Sequence, residues 1–199
     1  MKLHYMGTFN GDVNSLPKGE HKPGAVMFKE PDNMDKFTVI TTIISMSILV
    51  FAFLIAMLRA GKTVANFWGC ILTFVCLIPH EFLHAFCFKG DVFMYNNMKQ
   101  GSLFVVGPEP MTKFRFCFMS LLPSIVFGFI PYIIFLIDPS QELLGTFGML
   151  SLTTAAGDFM NVHSAITQMP KEAKTYIHGM NSYWYMPEDE KGKEEVKEK

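Results

Sequence analysis

The sequence predicts an all-α membrane protein, a bundle of about four transmembrane helices with a short β-hairpin-like loop between the second and third. Two observations lead there. The chain is 50% hydrophobic, with 20 Phe and 15 Met in 199 residues, and its mean hydropathy of +0.25 is high for a soluble domain of this size. Several runs are also uncharged for long enough to cross the hydrocarbon layer of a bilayer.

The first run, Thr38 to Leu58, carries no charged residue and at about 1.5 Å per helical residue reaches across roughly 30 Å. After the basic link Arg59 to Lys62, a second span is predicted over Asn66 to Phe88. The third, Phe116 to Ile137, contains Pro123 and Pro131, each of which removes a backbone donor and should kink it. The fourth runs from Leu143 to Ile166 and holds the small and polar stretch Thr153-Thr-Ala-Ala-Gly-Asp158, with Asn161 and His163 beyond it. Small residues there allow close helix approach, and polar ones should face the bundle interior.

Around these spans the chain divides into a polar N-terminal arm (1–37), a transmembrane domain (38–169), a cytoplasmic cap segment (170–187) and a charged disordered tail (188–199). The tail is almost wholly charged and has no aromatic residue, so it cannot bury a core. Tyr176, Tyr183, Trp184 and Tyr185 in the cap suit the end of the bundle or the headgroup level. Between the second and third spans, Asp91–Tyr95 and Ser102–Val106 are β-prone runs around a turn region. They could hold an extended peptide by strand addition or merely connect two spans.

All Lys and Arg except Arg59 and Lys62 fall in the N-terminal arm, the 89–115 region and the C-terminal segment. The positive-inside rule then places a multi-pass protein in the cell membrane with both termini cytoplasmic. A net charge of -1 without a basic cluster offers nothing for nucleic acid to bind. Cys70, Cys76, Cys87 and Cys117 all lie in apolar segments without paired spacing and read as small core residues.

Within the second span stands His80-Glu-Phe-Leu-His84, an H-E-x-x-H pattern. Four residues apart on a helix, both imidazoles project from one face and can bind one Zn²⁺, with Glu81 placed to take a proton from a metal-activated water. Three ionisable groups in an apolar span are costly unless they do something. A hydrolytic zinc site needs a third protein ligand and an open position. Asp158 is the first candidate, because a carboxylate in an apolar span needs a cation or a partner. Asn161, His163 and Glu109 compete, with Asn161 and His163 otherwise suited to a supporting shell around the ligands.

The apolar His80–His84 helix, the loop ending Gly107-Pro-Glu-Pro110, the Leu122-Pro123 span and Gly157-Asp158 resemble the putative zincin peptidase family of small bacterial membrane proteins. That family is similar to the site-2 protease intramembrane metalloproteases. The resemblance covers about residues 66 to 186, and implies Asp158 as the residue that completes a zinc site with His80 and His84. The expected function is hydrolysis of peptide bonds in or near the membrane, by water activated on zinc, with Glu81 as the catalytic base. The substrate is a membrane protein or peptide. The rival from another class is a non-catalytic membrane protein with a structural metal or partner-binding site, which would have no use for Glu81; hydrolysis of a small amphiphile is a second enzymatic reading. Oligomeric state, substrate and regulators lie beyond the sequence.

Overall fold

A computed structural model of the chain describes residues 1–31, 33–97, 102–179 and 181–187. The predicted charged tail (188–199) and the tip of the predicted hairpin lie outside the described residues. The chain folds as two compact units, one of residues 1–30, 84–119 and 162–199 and the other of residues 31–83 and 120–161.

The second unit is helical. Helix α1, Met34–Ala60, starts at Asn33, whose side chain accepts from the Lys36 N–H, and stops at Gly61 in the left-handed conformation (φ 67°). Helices α2, Phe67–Val75, and α3, Leu77–Phe86, follow with a 41° bend between them. The cause of the bend is local: Pro79 has no N–H for the Val75 carbonyl and its ring would strike it, so the helix breaks at Cys76 and restarts with Pro79 in its first turn. Helix α4, Lys113–Pro123, passes into a π-helical stretch at Ser124–Phe129 and then α5, Ile130–Ile137. The wide π turn, with the Ile130 N–H bonded to the Ile125 carbonyl, accommodates Pro131, which cannot bond back in α-helical register. Helices α6, Glu142–Thr154, and α7, Ala156–Gln168, follow; residues 84–86 of α3, 113–119 of α4 and 162–168 of α7 belong to the other unit.

The core of this unit gathers Ala52, Ala56, Val64, Tyr132, Phe135, Met149 and Leu152. Gly148 lets α6 approach closely, since a Cβ there would meet the Tyr132 nitrogen at 2.6 Å and the Gly128 carbonyl at 2.8 Å.

The other unit contains two sheets. One has strand order β1-β3-β4, with Lys2–Thr8 parallel to Asp91–Asn97, and Asp91–Asn97 antiparallel to Ser102–Val106. The second has order β2-β7-β6-β5, built from Val26–Met27, Asn181–Tyr185, Lys174–His178 and Met111–Thr112. Phe28, Ala85, Phe88, Val92, Met111, Phe116, Met119 and Met169 are among the buried residues of its core.

This overturns the expectation of an all-α bundle of about four transmembrane helices. Among the described residues, two helical segments are long and apolar enough to cross a membrane, Asp35–Ala60 and Lys113–Ile137, and the bent α2–α3 pair makes a third if it counts as one span. The stretch taken as a fourth span is two 13-residue helices, each about 20 Å long and too short for the hydrocarbon layer. The segments read as an arm and a cap supply strands, so the hairpin-like loop is part of a three-stranded sheet rather than an isolated hairpin.

Candidate metal centre

Helix α3 carries the motif across its middle. Ile78, Phe82 and Phe86, spaced four apart, lie exposed, whereas His84 and Ala85 are buried and His80 and Glu81 are half-buried. The helix thus has an apolar outer stripe and an inner face bearing the ionisable groups. One ligand atom each from His80, Glu81 and His84 lies within 4.8 Å of the others. This geometry belongs to one continuous helix, with His80 and His84 a turn apart.

His84 is 7% exposed, and its Nδ1 lies 2.9 Å from the backbone carbonyl of Met119 on α4. A carbonyl can only accept, so Nδ1 carries the proton and, in the neutral ring, Nε2 keeps its lone pair for a metal. A buried imidazole held this way cannot rotate without losing its partner.

His80 is held differently. Its Nε2 lies 3.2 Å from Oδ2 of Asp158, both side chains being 14% exposed. Two donors each about 2.0–2.1 Å from a tetrahedral zinc ion stand about 3.3 Å apart, so the observed separation suits two ligands of one ion. Asp158 reaches this place because the helix breaks at Ala155, which puts it in the first turn of α7. A carboxylate there is favoured by the unpaired N–H groups of the helix start. At the break, the Thr153 carbonyl takes a bond from Ser45 Oγ at 2.8 Å, while Thr153 Oγ1 and Thr154 Oγ1 bond back to the carbonyls of Met149 and Ser151.

Imidazole and carboxylate are donors that zinc takes, and the group that could share one ion among the described residues is His80, Glu81 and His84, with Asp158 beside His80 but outside it. The structure does not draw His163 into this group. It lies five residues past Asp158, about 140° around an ideal helix, and is exposed. Asn161, three residues past Asp158, shares its side of α7 and is half-buried. Glu109 is engaged elsewhere: its Oε1 meets Arg115 Nη1 at 2.7 Å, and its Oε2 accepts from the N–H groups of Lys89 and Gly90 at 2.6 and 2.9 Å. Burial works to raise its pKa, but the Arg115 guanidinium and those two N–H groups outweigh it and hold the carboxyl below its ordinary value. Arg115 in turn donates through Nε and Nη2 to the Cys87 carbonyl, so the pair clamps the chain just past the end of α3.

Sequence reasoning missed the Met119 carbonyl and the Glu109–Arg115 clamp. Backbone acceptors leave no residue pattern, but Arg115 six residues after Glu109, beside the Gly107-Pro-Glu-Pro110 turn, was a usable signal for an ion pair.

The profile of a family described as putative zincin peptidase matches residues 73–174. No curated protein and no solved structure matches the chain. The matched segment is just over half of the sequence and includes His80, Glu81, His84 and Asp158, so the chain belongs to the putative zincin peptidase family.

Proposed function

We propose that this protein is a zinc-dependent, membrane-embedded peptidase, similar to the site-2 proteases, that cleaves peptide bonds in or near the bilayer. The observation that carries the reading is the convergence of His80, Glu81 and His84 on one helix face, with the Asp158 carboxylate 3.2 Å from His80. His80, His84 and Asp158 would hold the ion, and Asn161 is a candidate to orient a ligand or substrate carbonyl beside them.

Bound there, zinc would supply a Lewis acid and a water of lowered pKa. The chain's own residues do the rest. Glu81 is the general base that takes the proton of the attacking water and returns one to the leaving amine. Its presence separates this site from a closed structural one, which needs ligands and no base. His84 keeps its Nε2 directed by the bond to Met119, and His80 is oriented by Asp158.

Membrane embedding is supported by the surface of α1. Val39, Ile40, Ile43, Met46, Val50, Phe51, Leu54 and Leu58 are all at least 40% exposed, more contiguous apolar surface than a helix in water leaves open. The stripe of Ile78, Phe82 and Phe86 extends the same property to α3. The charge argument for two cytoplasmic termini required four spans and does not carry over to the two or three found among the described residues. A span enters a hydrolytic site only after its own helix opens, and β4, an edge of its sheet among the described residues, has backbone groups available to an extended peptide.

The test is to measure zinc content, and cleavage of a single-span model substrate, in detergent-solubilised full-length protein. One zinc per chain with chelator-sensitive cleavage is expected. A protein that binds zinc but cleaves neither spans nor peptides would leave a structural metal site and overturn the proposal.

A further inference from the structure

The oxygen that holds His84 belongs to an unusual residue pair. Met119 sits in the second turn of α4, where its carbonyl would ordinarily accept the N–H of residue 123. Residue 123 is proline, the one residue inside α4 with no N–H to give. Its ring also collides with the carbonyl four residues earlier, so that carbonyl must tilt away from the helix axis. The carbonyl in question is the one 2.9 Å from His84 Nδ1.

From this coincidence we infer that Pro123 is a positioning residue for His84: it strips the Met119 carbonyl of its helical donor and turns it outward, where it fixes the imidazole with Nε2 presented. The inference rests on the reading of His84 as a zinc ligand and adds the means by which that ligand is set. Pro123 is fully buried, so it has no surface role, and a helix interior is the place where proline is least favourable. The carbonyls around it in an unbroken helix would already be engaged by N–H groups along the axis. A buried imidazole N–H needs an acceptor, and proline creates one at the required turn. Pro131 makes the comparison internal. It too lies within the Lys113–Ile137 segment and is buried, but the carbonyl it deprives is that of Phe127, in the π-helical stretch, and not the acceptor of His84.

The experiment uses the full-length protein in detergent micelles with ¹⁵N-labelled histidine, first stripped of metal at pH 8. Long-range ¹H–¹⁵N correlation reads the tautomer of His84, its signal identified by loss in His84→Gln. The expected wild-type ring is protonated at Nδ1 with a bare Nε2. Pro123→Ala, which restores an N–H at 123, should shift the ring toward the Nε2-protonated form and weaken zinc binding by about 10–100-fold, read by competition with a chromophoric chelator. Pro131→Ala removes the same atoms from the same segment and should change neither reading.

A wild-type His84 protonated at Nε2 overturns the inference, and that spectrum decides even if Pro123→Ala does not fold. Equal weakening in Pro123→Ala and Pro131→Ala also overturns it, as a general loss of packing. If the wild type shows the Nδ1 tautomer but takes up no zinc, the peptidase reading fails while the positioning of His84 stands.

Discussion

His84 and His80 sit one turn apart on α3, yet they are held by opposite means. His84 is buried against a backbone oxygen of α4, which no side-chain substitution can delete. His80 is partly exposed and faces the carboxylate of Asp158 on α7, a group that is itself a potential ligand. The first arrangement fixes a ring in advance, and the second, on the proposed function, brings together two donors for a cation to hold. A site built this way has a rigid half and an assembled half, and substitutions should discriminate between them.

The largest effect is expected from removing a ligand. His80→Ala and His84→Ala should each lower zinc affinity by more than the roughly 100-fold ceiling of an outer-shell change, measured by competition titration. Asp158 then sharpens the comparison. If it is a ligand, Asp158→Asn, which still accepts a bond from His80 but binds zinc poorly, should lose nearly as much affinity as Asp158→Ala. Retention of affinity within about tenfold in Asp158→Asn would make Asp158 an orienting group for His80 rather than a ligand.

A smaller effect is expected at the clamp beyond α3. The Glu109 carboxyl has its folded pKa below the ordinary value, so its contribution to stability is complete above the ordinary carboxylate pKa and is lost as pH falls through the lowered folded one. Glu109→Gln should destabilise the protein by about 1–3 kcal/mol at neutral pH and flatten the acid side of a stability profile followed by thermal melting. An unchanged acid limb would show that Arg115 and the two N–H groups do not act through the ionised form. Smallest of all is Pro79→Ala. Both histidines lie past the break at Cys76, so restoring an N–H there should leave zinc affinity unchanged; a loss comparable to that of Asp158→Asn would show that the bend itself sets the site.

These contrasts follow what was legible in the residues. His80, Glu81 and His84 announce themselves because motif spacing and helical periodicity coincide, and the α2–α3 bend is encoded by Pro79. The break between α6 and α7 has no proline. It arises from Thr153 and Thr154 bonding back to carbonyls and from Ser45 capping an oxygen more than one hundred residues away in sequence, which a window on the local pattern cannot contain. The sheets escaped for two reasons. Strands β2 and β5 are two residues each, and β1 joins β3 by a parallel register, Lys2 opposite Asp91, that no local alternation signals. The aromatic run Ser182-Tyr-Trp-Tyr185 was a strand signal, and an expectation of membrane assigned it to the end of the bundle or the headgroup level instead.

The central claim is that this metal centre performs hydrolysis, and Glu81→Gln tests it most directly. The substitution keeps the size of the side chain and removes its basicity while His80, His84 and Asp158 remain. Zinc content equal to wild type, with cleavage of a single-span substrate reduced by about 10²–10⁴-fold, is the predicted result. Cleavage at the wild-type rate in Glu81→Gln would contradict it.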